Sequence, residues 1–184
     1  NIDKETQDLL VARIKSAFPT DNILAEENDM VHNIKDGNVW VLDPIDGTVN
    51  FIVQQDNFCV MIAYYEKGQG KFGLIYNVMA DQLFYGGGQF DVYCNDKLLS
   101  PYKRRPLDRC LVGSNAAMYA KNYHGIKGFI DKTLGVRVYG GAGLSMSKVL
   151  SGQILAYFSV IYPWDYAAAS IMGKKLDYQL ETIT

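Results

Sequence analysis

Val39-Trp40-Val41-Leu42-Asp43-Pro44-Ile45-Asp46-Gly47-Thr48 is the stretch on which the reading of this chain turns. Four apolar residues make a short run of the kind that forms a buried strand, and Asp-Pro stops it. Proline fixes the turn, and Asp46 follows three residues after Asp43 at the start of the next element, so two carboxylates converge on one small volume. Left alone in a partly buried place, the two charges repel and raise a pKa; a bound cation with oxygen preference is their natural counter-charge. Gly47 lets the backbone approach a ligand closely, and if a helix begins there the amides of Gly47 and Thr48 face an anion. A cation beside a phosphate-sized anion site is the equipment of metal-assisted phosphoester hydrolysis. In isolation, Asp-Pro-x-Asp-Gly is more often a surface β-turn.

On the N-terminal side, Leu10, Val11, Ile14, Ala17 and Phe18 recur at helical spacing, which predicts an amphipathic helix over 4–17, capped by Asp3 and ended near Pro19. Ile23-Leu24-Ala25 then approaches Glu26-Glu27 in extended chain, where adjacent side chains point to opposite faces. One glutamate could thus face a metal while the other supports it; a solvated acidic loop is the blander reading. On the C-terminal side, residues 58–65 form a buried strand, and pieces at 72–76 and 82–86 suit antiparallel hairpin pairing. Gly86-Gly87-Gly88 breaks that pattern, and a polar crossing bracketed by Pro101 and Pro106 marks a boundary between halves at 1–106 and 107–184. Beyond it the pattern alternates: strand 110–114, helix 116–132, strand 136–139, helix 142–151, strand 154–159 and helix 164–173, an α/β half. The last helix opens with Trp164-Asp165-Tyr166-Ala167-Ala168, whose small side chains allow close packing on backbone. By itself Asp165 is equally an N-cap.

In this order, Glu26-Glu27, Asp43-Pro44-Ile45-Asp46-Gly47-Thr48 and Trp164-Asp165-Tyr166-Ala167-Ala168 resemble the inositol monophosphatase family of lithium-sensitive, magnesium-dependent phosphatases. The resemblance runs from Asp3 to the end of the chain. It implies an α/β fold, a layered αβαβα sandwich shared with fructose-1,6-bisphosphatase, with an α+β half holding the large antiparallel sheet and most of the metal ligands. It also implies two or three Mg2+ ions. Glu26, Asp43 and the carbonyl of Ile45 match the ligands of the first, and Asp43, Asp46 and Asp165 those of the second. Glu27 matches a supporting acid. The amides of Gly47 and Thr48 match the phosphate cradle, with Asp46 beside it, and Glu26 and Thr48 match the pair that activates the attacking water. Asp3 matches an aspartate that orients the catalytic threonine. Gly141 and Ala142, in Val138-Tyr139-Gly140-Gly141-Ala142, match the loop whose amide meets the substrate alcohol. Family members carry a further helix upstream and a strand and helix downstream, so the natural chain is expected to extend past both ends of this sequence.

One departure matters. Between Tyr157 and Trp164 the animal inositol-specific enzymes carry a glutamate that binds inositol hydroxyls, whereas this chain has Phe158-Ser159-Val160-Ile161-Tyr162-Pro163, with no acid. Inositol monophosphate is the leading substrate. 3′-Phosphoadenosine 5′-phosphate, the 2′-phosphate of NADP and fructose 1,6-bisphosphate are alternatives within the same chemistry, and a non-catalytic metal- or ligand-binding relative is the reading from another class.

Composition narrows the field further. The formal net charge of −2 offers no electropositive footprint for nucleic acid. No stretch reaches the roughly 18 apolar residues of a membrane span, and no signal-peptide core opens the chain, so a cytoplasmic protein acting on a small-molecule phosphoester is expected. The family is commonly dimeric, which implies a homodimer. Cys59, Cys94 and Cys110 form no CxxC pair and read as reduced structural residues. His32 and His124 lie outside every motif and read as surface residues.

Overall fold

A computed structural model describes residues 2–27 and 30–183. In chain order the elements are α1 (Ile2–Ala17), β1 (Asn22–Ala25), β2 (Asn38–Asp46), α2 (Thr48–Gln54), β3 (Cys59–Glu66), β4 (Gln69–Asn77), β5 (Gln82–Gly87), β6 (Phe90–Cys94), β7 (Lys97–Leu98), β8 (Leu111–Ser114), α3 (Ala116–Ala120), α4 (Ile126–Ile130), β9 (Gly135–Arg137), α5 (Ala142–Leu150), β10 (Tyr157–Phe158) and α6 (Pro163–Lys175). Strands β1 to β7 form one sheet in sequence order, antiparallel except where β1 runs parallel to β2. Strands β10, β8 and β9 form a second, parallel sheet.

Period-two alternation along β2 divides the core between the faces of the large sheet. Val39 and Val41 join Met61, Ala63 and Ile75 beneath the apolar sides of α5 and α6. Leu42 and Trp40 turn the other way, onto Ile14, Leu10 and Val11 of α1. Each fully buried aliphatic side chain stabilises the sandwich by roughly 1.5–3 kcal/mol relative to exposure. A third cluster, Val112, Met118, Ile126 and Ile130, packs α3 and α4 on the small sheet. The layers are therefore helix, sheet, helices, sheet, helices, as the family resemblance implies.

The small residues of α6 let it approach the large sheet closely. A Cβ on Gly73 of β4 would lie 2.3 Å from the Ala168 carbonyl oxygen, and one on Gly87 of β5 would lie 2.8 Å from Ile171. That fixes how deep the start of α6, with Asp165, enters the molecule.

Three expectations change. The helix expected over 116–132 is broken into α3, a 3-10 turn (Tyr123–Gly125) and α4, because Asn122, His124 and Gly125 take left-handed backbone with φ of 51, 50 and 72°. The Asn122 side chain holds the break by accepting the Lys127 N–H at 2.9 Å. The strand expected at 154–159 is reduced to Tyr157–Phe158. No strand is expected between the triple glycine and Pro101; Gly86, Gly87 and Gly88 do break β5, all with positive φ, and the chain turns there into β6 and β7, which extend the first sheet.

Candidate metal centre

Asp43 and Asp46 lie near and at the end of β2, three residues apart, and in a regular strand they would point to opposite faces. The pairing with β3 shifts between them: Asp43 lies opposite Met61 and Asp46 opposite Cys59, so Pro44 and Ile45 together face Val60 alone. This bulge follows from proline, which cannot donate to the ladder. The extra residue restores parity, and both carboxylates emerge on the side of Cys59 and Met61, facing α5 and α6. Asp165 joins them from the first turn of α6. It lies inside that helix and not at its N-cap; its Oδ2 accepts the Tyr162 N–H at 2.7 Å, which sets its direction.

Asp43, Asp46 and Asp165 each offer an oxygen within 4.8 Å of the others. Asp43 is buried and its Oδ1 has no hydrogen-bond partner among the described residues. Burial, then the charges of Asp46, Glu26 and Asp165, holds its carboxyl well above the usual range. Asp165 is also raised, chiefly by burial. Burial pushes Asp46 up to about 6 in spite of two backbone donors, Ala142 N–H to Oδ1 at 2.9 Å and Gly143 N–H to Oδ2 at 2.8 Å. No lysine, arginine or histidine among the described residues forms an ion pair with any of the three. Three crowded acids, an orphaned buried oxygen and no basic partner fit a hard cation with oxygen ligands.

Glu26 stands outside this tight group, exposed on the turn after β1. It still belongs to the same field: burial, then Asp165, Glu27, Asp3 and Asp46, pushes its acid up to about 7. Asp3, expected to cap α1, instead lies within that helix, buried and close enough to act on Glu26, because the helix is already formed at Ile2. Glu27 is half-buried and held through its backbone by Gln7. Asn28 and Asp29 lie outside the described residues.

Gly47 takes left-handed backbone (φ 87°) and starts α2, so the first-turn amides at Gly47 and Thr48 have no partner from a preceding turn. The Thr48 hydroxyl donates to the Ile45 carbonyl at 3.1 Å, tying two expected site groups together. Gly141 and Ala142 reach the site, but the Ala142 amide expected to meet an alcohol is committed to Asp46, since the start of α5 abuts that carboxylate. A Cβ on Gly141 would sit 2.7 Å from Asp46 Oδ2. The loop is fixed by Asn50, a buried residue whose Nδ2 donates to the carbonyls of Asn57 and Tyr139 at 3.0 and 2.9 Å. Neither Asn50 nor Gln7 is singled out by sequence reasoning, because both act on backbone far along the chain.

The inositol monophosphatase family model matches residues 1–174. The chain belongs to the inositol monophosphatase family. As a member of that family it is a phosphoric monoester hydrolase. It is 38% identical over 190 residues to the inositol-1-monophosphatase of Bacillus subtilis (strain 168), covering 100% of this chain and 71% of that one. Among solved structures it is similar to inositol monophosphatase-II from Staphylococcus aureus MSSA476, with a TM-score of 0.91 and 32% identity over 96% of this chain and 68% of that one. The 2′AMP-bound SaIMPase-II matches at a TM-score of 0.89 and 32% identity, with 95% and 69% covered. An IMPase/NADP phosphatase complexed with Mg2+ and phosphate matches at a TM-score of 0.87 and 25% identity, with 96% and 67% covered.

Proposed function

We propose that this family member hydrolyses a small phosphomonoester, with inositol monophosphate the leading substrate, at a site holding two or three magnesium ions. The observation that carries the reading is the trio of buried Asp43, buried Asp46 and half-buried Asp165 with no basic partner among the described residues. Glu26, Asp43 and the Ile45 carbonyl would hold one ion, and Asp43, Asp46 and Asp165 a second. When bound, magnesium supplies the positive charge that acidifies the attacking water and offsets charge on the phosphoryl oxygens. Glu26 would accept the proton of the attacking water, and Thr48 would orient that water through its hydroxyl. The Gly47 and Thr48 amides would seat the phosphate. Ala142 and Gly143 would keep Asp46 in one orientation.

A nucleotide 2′- or 3′-phosphate is the second reading. In favour of it, the Tyr162 and Trp164 rings stack at 5.2 Å and 14° directly before Asp165, and Tyr162 is 64% exposed. An exposed flat ring suits a base better than a polyol, and no acid lies between Phe158 and Pro163 to take sugar hydroxyls. Phosphate release from inositol 1-phosphate, adenosine 2′-phosphate, NADP and fructose 1,6-bisphosphate, with and without magnesium, tests both readings. Magnesium-dependent release with the inositol ester first in kcat/KM is the expected result. A hundredfold preference for a nucleotide overturns the substrate, and no release from any ester overturns the reading.

A further inference from the structure

Gln7 is a polar side chain of 0% exposure on α1, the layer opposite α5 and α6. Its amide is committed in both directions to one residue twenty positions along the chain: Nε2 donates to the Glu27 carbonyl at 2.7 Å, and Oε1 accepts the Glu27 N–H at 2.9 Å. Nε2 also lies 3.6 Å from Met30 Sδ. Ala25 and Met30 close the base of the same turn through an isolated antiparallel bridge, the Ala25 N–H donating to the Met30 carbonyl at 2.9 Å. Glu26 is therefore carried between two fixed points, the bridge at Ala25 and the amide clamp at Glu27.

We propose that Gln7 is a positioning residue for the metal centre: its amide fixes the backbone of the Glu26–Glu27 turn, and with it the direction from which the Glu26 side chain is presented. This rests on the metal-phosphatase reading. The chemistry of the clamp is specific, because a primary amide presents one donor and one acceptor side by side to a backbone N–H and C=O at any pH. A carboxylate at the position keeps the acceptor and loses the donor. A thioether loses both and leaves two buried backbone groups unpaired.

Three measurements on Gln7→Met and Gln7→Glu test it: hydrogen exchange of the Glu27 amide in metal-free protein, magnesium affinity by calorimetry, and kcat against magnesium concentration. In Gln7→Met, exchange at Glu27 accelerates about tenfold while β3 to β5 keep their protection, and magnesium binds about tenfold more weakly. At saturating magnesium kcat stays within about twofold, since the metal re-forms the turn. Gln7→Glu, which retains the acceptor, falls between wild type and Gln7→Met in exchange at Glu27. Wild-type magnesium affinity in a folded Gln7→Met, or acceleration spread evenly over the sheet, overturns the proposal. Should Gln7→Met fail to fold, unchanged exchange and affinity in Gln7→Asn, whose amide is one methylene too short to reach both groups of the Glu27 backbone, overturn it equally. Absence of magnesium-dependent turnover in the wild type would instead break the phosphatase reading, leaving the exchange result to stand or fall alone.

Discussion

The two sides of the candidate site are built from different material. Asp43 and Asp46 stand on β2, a nine-residue strand inside a seven-stranded sheet; both carboxylates are buried, and that of Asp46 is fixed by the start of α5. The opposite side, from Tyr157 to Tyr162, is a two-residue strand followed by irregular chain that runs into α6, with Val160 and Tyr162 exposed. The difference separates two jobs. Groups that handle metal and phosphate sit on rigid, tightly packed elements, where small displacements cost activity. On the reading proposed above, the alcohol would meet exposed side chains of the less regular stretch, such as Tyr162, where substitution can change the substrate without disturbing the chemistry.

Gly143→Ala strikes the rigid side and gives the largest effect of the three contrasts. The added methyl would meet Cys59 Cβ at 2.9 Å, Met61 Sδ at 3.0 Å and Asp46 Oδ2 at 3.1 Å. Asp46 then shares with Cys59 and Met61 a shift of a few tenths of an ångström, and kcat falls more than about tenfold with every substrate, since a displacement of about 1 Å costs about a hundredfold. Equal activity in this variant and the wild type would show that Asp46 is not held as described.

Tyr162→Ala strikes the permissive side. If the stacked rings carry a base, kcat/KM for adenosine 2′-phosphate falls about tenfold while that for inositol 1-phosphate changes less than about twofold, stacking being worth ~1–3 kcal/mol per base. Parallel loss on both esters would mean that Tyr162 acts through Asp165, whose Oδ2 its backbone N–H holds.

The smallest effect concerns the rigid side without its metal. Glu26, Asp43, Asp46 and Asp165 are all raised above their ordinary values, Asp46 to about 6 and Glu26 to about 7. A raised acid favours the folded state fully below its unfolded value near 4, and that advantage is lost as pH rises through the folded value. The metal-free protein should melt a few degrees higher at pH 5 than at pH 8, given ~2–4 °C per kcal/mol for a chain of this size. Magnesium should reverse the order, since cation binding favours the ionised acids. A metal-free melting temperature that climbs between pH 5 and 8 would contradict the crowding of these carboxylates.

How much of this was legible in the sequence follows the same division. Asp43, Asp46, Gly47 and Thr48 lie within six residues of one another, so local chemistry points at them, and the buried strand before them is plain from Val39 to Leu42. Their convergence was legible but its cause only in part: a turn fixed by proline, with Asp46 opening the next element, was the reason drawn from sequence, whereas β2 continues to Asp46 through a bulge at Pro44 and Ile45. Asp165 entered only through the family resemblance, because nothing local links it to β2. Gln7 and Asn50 gave no signal, since an amide that binds backbone leaves no pattern of charge or spacing, and the partners are 20 and 89 residues away. The broken helix over 116–130 was hidden because Met118, Ile126 and Ile130 keep an apolar face across a kink made by left-handed Asn122 and His124.

Magnesium titrated against wild type and Asp43→Asn, with phosphate release from inositol 1-phosphate as the readout, bears most directly on the metal centre. The substitution keeps the shape of the side chain and removes the charge that two ions would share. The account predicts release that rises with magnesium in the wild type and falls about a thousandfold in Asp43→Asn at every magnesium concentration. Release in the variant within tenfold of wild type, or release indifferent to magnesium in both, would contradict it.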